Sequence, residues 1–131
     1  MAIDFAAIKI TGLNDEASGP SEQGAAMTRV VLELSASAPA EWSSYFNQRW
    51  QQHIYTMKRR AHVSGSRLEI DCVLDELEAD HLPELCNVVA ETNKEYAKYH
   101  AAKNAAQAAE KQRREAEAER LAQLKKNINF D

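Results

Sequence analysis

From Glu84 to Phe130 the chain contains neither glycine nor proline, and the stretch is dominated by Ala, Glu, Lys, Arg and Gln. These are strong helix formers, and nothing among them interrupts the backbone ladder. The stretch therefore predicts one very long helix, too long to be buried in a small domain. Of the 131 residues, about 100 are left for a compact body, which is enough for a single hydrophobic core. We expect a body over residues 1–99, which includes the first part of the long helix, and a helical extension over residues 100–131.

Charge is divided unequally between these parts. Residues 1–99 carry 9 basic and 15 acidic side chains, a balance of −6, whereas residues 100–131 carry 7 and 5, a balance of +2. An acidic body repels phosphate backbones and anionic membranes, so neither is the expected partner. The opening Met1-Ala2-Ile3-Asp4-Phe5 lacks the basic and apolar segments of a secretory signal, and no run approaches the ~18 apolar residues of a membrane span. A cytoplasmic protein is expected. The two cysteines, Cys72 and Cys86, match no zinc or redox spacing and read as core thiols.

Within the body, Ala6–Leu13 and Met27–Ser35 are short β-prone runs, read as a hairpin; Val30, Leu32 and Leu34 alternate in the second. Between them, Asn14–Ala26 is rich in Gly, Ser, Pro and acids and is expected to be a mobile loop. Pro39 and Glu41 mark a helix start, followed by Trp42, Tyr45, Phe46, Trp50 and Ile54 at spacings of three and four, an aromatic stripe expected to face the core. Met57–Val63 leads through the turn Ser64-Gly65-Ser66 into Arg67–Asp75, where Leu68, Ile70, Cys72 and Leu74 alternate with polar residues. Leu77–His81 reads as an acidic connector, with Asp80 capping the final helix and Pro83 in its first turn. Leu82, Leu85, Val89, Thr92, Tyr96 and Tyr99 then form the packed stripe of that helix. Thr92 and Asn93 are expected to hydrogen-bond across to the Trp42 helix. The order ββαββα predicts an α+β two-layer fold: a four-stranded, mainly antiparallel sheet with both helices on one face, and the last helix projecting about 45 Å beyond it, from a rise of about 1.5 Å per residue.

Past Tyr99 the apolar stripe stops, because Lys103, Glu110, Arg113 and Glu117 occupy its continuation. Glu110 with Arg113 or Arg114, and Glu117 with Arg120, stand at helical-neighbour spacing and support the helix in water. Ala102, Ala105, Ala106 and Ala109 form a smooth face that another helix can approach closely. Leu121, Leu124 and Ile128 form a short apolar seam, with Phe130 just beyond.

No motif points to catalysis, a cofactor or a metal. His53, His62, His81 and His100 are scattered, the acidic run Asp71–Glu84 lacks the turn and spacing of a calcium loop, and the four glycines make no phosphate cradle. The expected function is therefore non-catalytic: assembly with a protein partner or with further copies of the chain. Its partner-binding residues would be Ala102, Ala105, Ala109, Leu121, Leu124, Ile128 and Phe130. The alternative is a nucleic-acid-associated protein that uses the basic patch Lys58, Arg59, Arg60 and Arg67, with Trp50 and Tyr55 nearby for stacking, and the basic positions of the last helix.

Overall fold

The structure, a computed structural model, describes residues 5–22, 24 and 26–129. Its elements are β1 (Ile10–Pro20), β2 (Thr28–Leu34), α1 (Ala40–Gln52), β3 (Ala61–Ser64), β4 (Arg67–Cys72), a short helix α2 (Leu74–Glu76), a π-turn (Leu77–His81) and α3 (Leu82–Asn127). The strands form one antiparallel sheet in the order β1-β2-β4-β3. This is the α+β class expected from the sequence, with the long C-terminal helix as its largest element. Two units result, Ala6–Ala97 and a second that holds Phe5 and residues 98–129.

Alternation sets the two faces of the sheet. In β4, Leu68, Ile70 and Cys72 are buried while Arg67, Glu69 and Asp71 turn the other way. The register aligns Leu32, Leu68 and Val63 in one row and Val30, Ile70 and Ala61 in the next, so one face is continuously apolar. Trp42, Phe46 and Trp50 of α1 cover it together with Leu85, Val88, Val89, Thr92 and Tyr96 of α3. The three α1 rings run nearly parallel along the helix, with centroids 5.8 and 6.2 Å apart. The opposite face is mostly charged, with His62 and Arg29 both reaching Glu69 and Arg67 reaching Glu33, although Val31, which alternates onto it, is buried.

Asn93 ties α3 to α1 and to the segment before β1. Its Oδ1 accepts from Trp42 Nε1 at 2.9 Å and from the Ile8 N–H at 3.0 Å, while Nδ2 donates to the Ile8 carbonyl at 2.8 Å. Thr92, by contrast, donates to Val88 of its own helix rather than across to α1.

Several local expectations are corrected. The hairpin forms, but its first strand is Ile10–Pro20 rather than Ala6–Leu13, and it includes much of the expected loop. A bulge makes this possible: Asn14 pairs with Val31 and Gly19 with Arg29, so five steps along β1 match two along β2. Asn14 stabilises the bulge by accepting from the Ala17 N–H, and Ser18 Oγ accepts from Val31 N. Ile54 leaves the aromatic stripe because α1 stops at Gln52, and it is 90% exposed. Leu74 is likewise exposed, since β4 ends at Cys72. Leu77–His81 is helical, not a connector, so Asp80 lies within the helical run rather than at its start. Pro83 supplies no N–H to the ladder, and the turn before it widens so that the Leu82 N–H reaches the Leu77 carbonyl. Cys86 is exposed rather than in the core, whereas Cys72 is buried.

Candidate functional site

In the second unit, the helix from Lys98 to Asn127 is about 45 Å long at a rise of about 1.5 Å per residue. Nearly every side chain along it is exposed, including Ala102, Ala105, Ala106 and Ala109. Leu121, Leu124 and Ile128 are 67, 45 and 46% exposed. Ile128 keeps its place in the seam because its N–H donates to the Leu124 carbonyl at 2.9 Å, extending the helical pattern past Asn127. Phe130 lies outside the described residues.

The middle of this helix holds itself together by charge. Arg113 donates to Glu110 at 2.6 Å and to Glu117 at 2.8 Å, and Arg114 donates to Glu110 at 3.0 Å. Glu117 therefore pairs one turn back with Arg113, not with Arg120 as spacing alone suggested. The Arg113 guanidinium, followed by Arg114, holds the Glu110 carboxyl below the usual carboxylate range, and Glu110 raises Arg113 in return. This arrangement keeps the backbone helical while leaving the alanine face and the seam open.

The basic candidates divide between two places. Lys58, Arg59 and Arg60 line a groove of about 560 Å³, together with Asn47, Trp50, Gln51, Ala61, His62 and Asp71. Arg67 stands apart at the start of β4, 3.6 Å from Glu33. Lys58 Nζ donates to the Gln51 carbonyl and lies 5.7 Å from the Trp50 ring centroid. Trp50 is only 2% exposed and its Nε1 donates to the Arg59 carbonyl, so its ring offers no surface for base stacking.

Beneath this groove lies a polar network that the sequence did not advertise. Arg59 Nη2 and His81 Nε2 both approach Glu76 Oε2 at 3.4 Å, and His81 Nδ1 lies 2.8 Å from the Tyr55 hydroxyl. Both ring nitrogens of His81 are thus engaged, Nε2 by a carboxylate and Nδ1 by a phenol. His81 is fully buried. Next to it, His53 Nε2 lies 2.6 Å from Glu84 Oε2. Burial pushes the Tyr55 hydroxyl up to about 12, against a backbone hydrogen bond at Arg59 that pulls the other way. Burial likewise raises the Cys72 thiol, with the Glu76 charge adding to the effect. A phenol held neutral and a thiol held protonated are poor nucleophiles; the network ties the π-turn to the segment after α1. Its residues lie on three elements without regular spacing, and only the burial of His81 would have revealed it.

Among the described residues no group of three His, Cys, Asp or Glu converges as a metal site, and no helix is long and apolar enough to cross a membrane. Comparison with protein-family models, with curated proteins and with solved structures gives no match to this chain.

Proposed function

We propose that the protein is a non-catalytic assembly factor that associates through the C-terminal part of α3, with a second copy of the chain as its partner. One observation carries the reading: Leu121, Leu124 and Ile128 are exposed at helical spacing on a helix that sustains itself in water through Glu110, Arg113, Arg114 and Glu117. Burying a large apolar side chain contributes about 1.5 to 3 kcal/mol, so three from each of two chains supply roughly 9 to 18 kcal/mol gross. Association costs roughly 4 to 15 kcal/mol before any contact is made. Mid-range values leave a surplus of roughly 4 kcal/mol, near-millimolar affinity from the seam alone, so association at tens of micromolar needs a further contribution of about 2 kcal/mol. The alanine face, which lets a second backbone approach closely, is where it would come from.

Sedimentation of the full chain against a chain carrying Leu121→Ser, Leu124→Ser and Ile128→Ser tests the proposal. Concentration-dependent association of the first, absent from the second, supports it. A full chain that stays monomeric at tens of micromolar overturns self-association through this seam.

A further inference from the structure

The outer edge of β3 is closed at two points by side chains of α1. Asn47 Oδ1 accepts the Val63 N–H at 2.7 Å and its Nδ2 donates to the Val63 carbonyl at 3.3 Å, as a neighbouring strand would. Trp50 Nε1 donates to the Arg59 carbonyl at 2.9 Å. Asn47 and Trp50 are one helical turn apart, and Val63 and Arg59 are four strand positions apart, so the two caps leave a gap at Ala61. The Asp71 N–H donates to the Arg60 carbonyl across the ladder, and Ala61 pairs with Ile70. Strand alternation therefore turns the Ala61 N–H and C=O outward, to the same side as the capped groups.

The gap opens into the 560 Å³ groove, which holds Lys58, Arg59, Arg60 and His62 within one five-residue segment. Arg60 is exposed, and among the described residues no carboxylate pairs with it. Arg59 Nε is buried without an acceptor among the described residues. One carboxylate, Asp71, also lines the groove, and its Oδ1 already accepts from Ser21 Oγ at 2.8 Å. In a body with an acidic balance, this groove brings together an outward-turned backbone donor, a lysine and an arginine. A planar carboxylate offers two oxygens to such a set, whereas a phosphate offers three or more spread over a tetrahedron.

We propose that this groove binds the phosphate group of a small phosphorylated molecule, with the Ala61 N–H, Lys58 and Arg60 as its contacts. The groove, lined also by Trp50, is larger than phosphate alone requires, leaving room for a small organic moiety beside it. The two caps close the edge to an added strand while leaving one backbone donor for an anion.

Amide chemical-shift titration of the full chain at constant ionic strength tests the site, using inorganic phosphate, ribose 5-phosphate, acetate and a short single-stranded oligonucleotide as probes. Saturable shifts at Lys58 to His62 with phosphate or ribose 5-phosphate support the proposal, and tighter binding of the sugar phosphate assigns the organic moiety to the groove. Arg60→Gln should weaken binding on the order of tenfold, the loss of one charge-assisted hydrogen bond, and Lys9→Gln should leave it unchanged. Three results would overturn the site: no saturable shift, acetate matching phosphate, or saturation by the oligonucleotide alone, which would point to nucleic acid.

Discussion

Asn93 offers the sharpest quantitative test of how the body is held together. Replacing it with alanine removes the acceptor for Trp42 Nε1–H and the Ile8 N–H and the donor to the Ile8 carbonyl, three hydrogen bonds between 2.8 and 3.0 Å. Trp42 is 0% and Ile8 1% exposed, so their stranded groups have little access to water. Each buried unsatisfied group costs about 1 to 3 kcal/mol, and because Asn93 itself is only half-buried the lower end applies, giving a loss of about 3 kcal/mol in all. Urea unfolding followed by tryptophan fluorescence reads this as a fall in the midpoint of roughly 1 to 3 M, for a slope of about 1 to 3 kcal/mol per M. Asn93→Leu discriminates between causes, since it restores volume without restoring a hydrogen bond. Both variants should be destabilised to a similar degree. A leucine variant as stable as the parent, or an alanine variant that loses less than about 0.5 kcal/mol, would refute the assignment of stability to these bonds.

Three further outcomes are expected. Asn47→Ala should lower stability by about 1 to 2 kcal/mol through the loss of two hydrogen bonds to Val63, and, by uncapping the β3 edge, should raise light scattering at high concentration; unchanged scattering would mean that the edge is protected by something else. One of the four tyrosines, Tyr55, should form phenolate only near pH 12; because its folded value lies above the unfolded one, its stabilising contribution holds below about pH 10 and is lost as pH rises through about 12. Tyr55→Phe should delete that late step from the phenolate absorbance titration. Glu110 has the opposite sign: its folded value is depressed by Arg113, so its support of the helix is present at neutral pH and fades as pH falls through and below the ordinary carboxylate range. Helical circular dichroism should report that fading, and Glu110→Gln should remove this part of it.

The strands with one buried and one wet face were legible because alternation is what such burial demands. Val30, Leu32, Leu68 and Ile70 read directly as core. β1 was not legible, since its pairing passes through a bulge that breaks the period, and its Asn14, Ser18 and Gly19 resemble loop residues until β2 supplies their partners. The end of α1 was equally hidden: Ile54 continues the helical spacing, but His53 turns extended and lies against Glu84, a contact set by α3. The acidic composition of Leu77–His81 suggested a connector, and only the need to accommodate Pro83 within a continuous helical run explains the π-turn. Of the candidate surfaces, the seam and the alanine face follow from helical periodicity alone. The groove at Ala61 does not, because it depends on Asn47 and Trp50 reaching a strand edge that the sequence leaves unplaced.

Self-association through the exposed seam of α3 is reached directly by sedimentation velocity across a concentration series. The full chain is predicted to shift from monomer toward a larger species at tens of micromolar, and the chain with serine at positions 121, 124 and 128 is predicted to remain monomeric with unchanged helical content. Identical sedimentation of the two proteins at every concentration would contradict self-assembly through that seam.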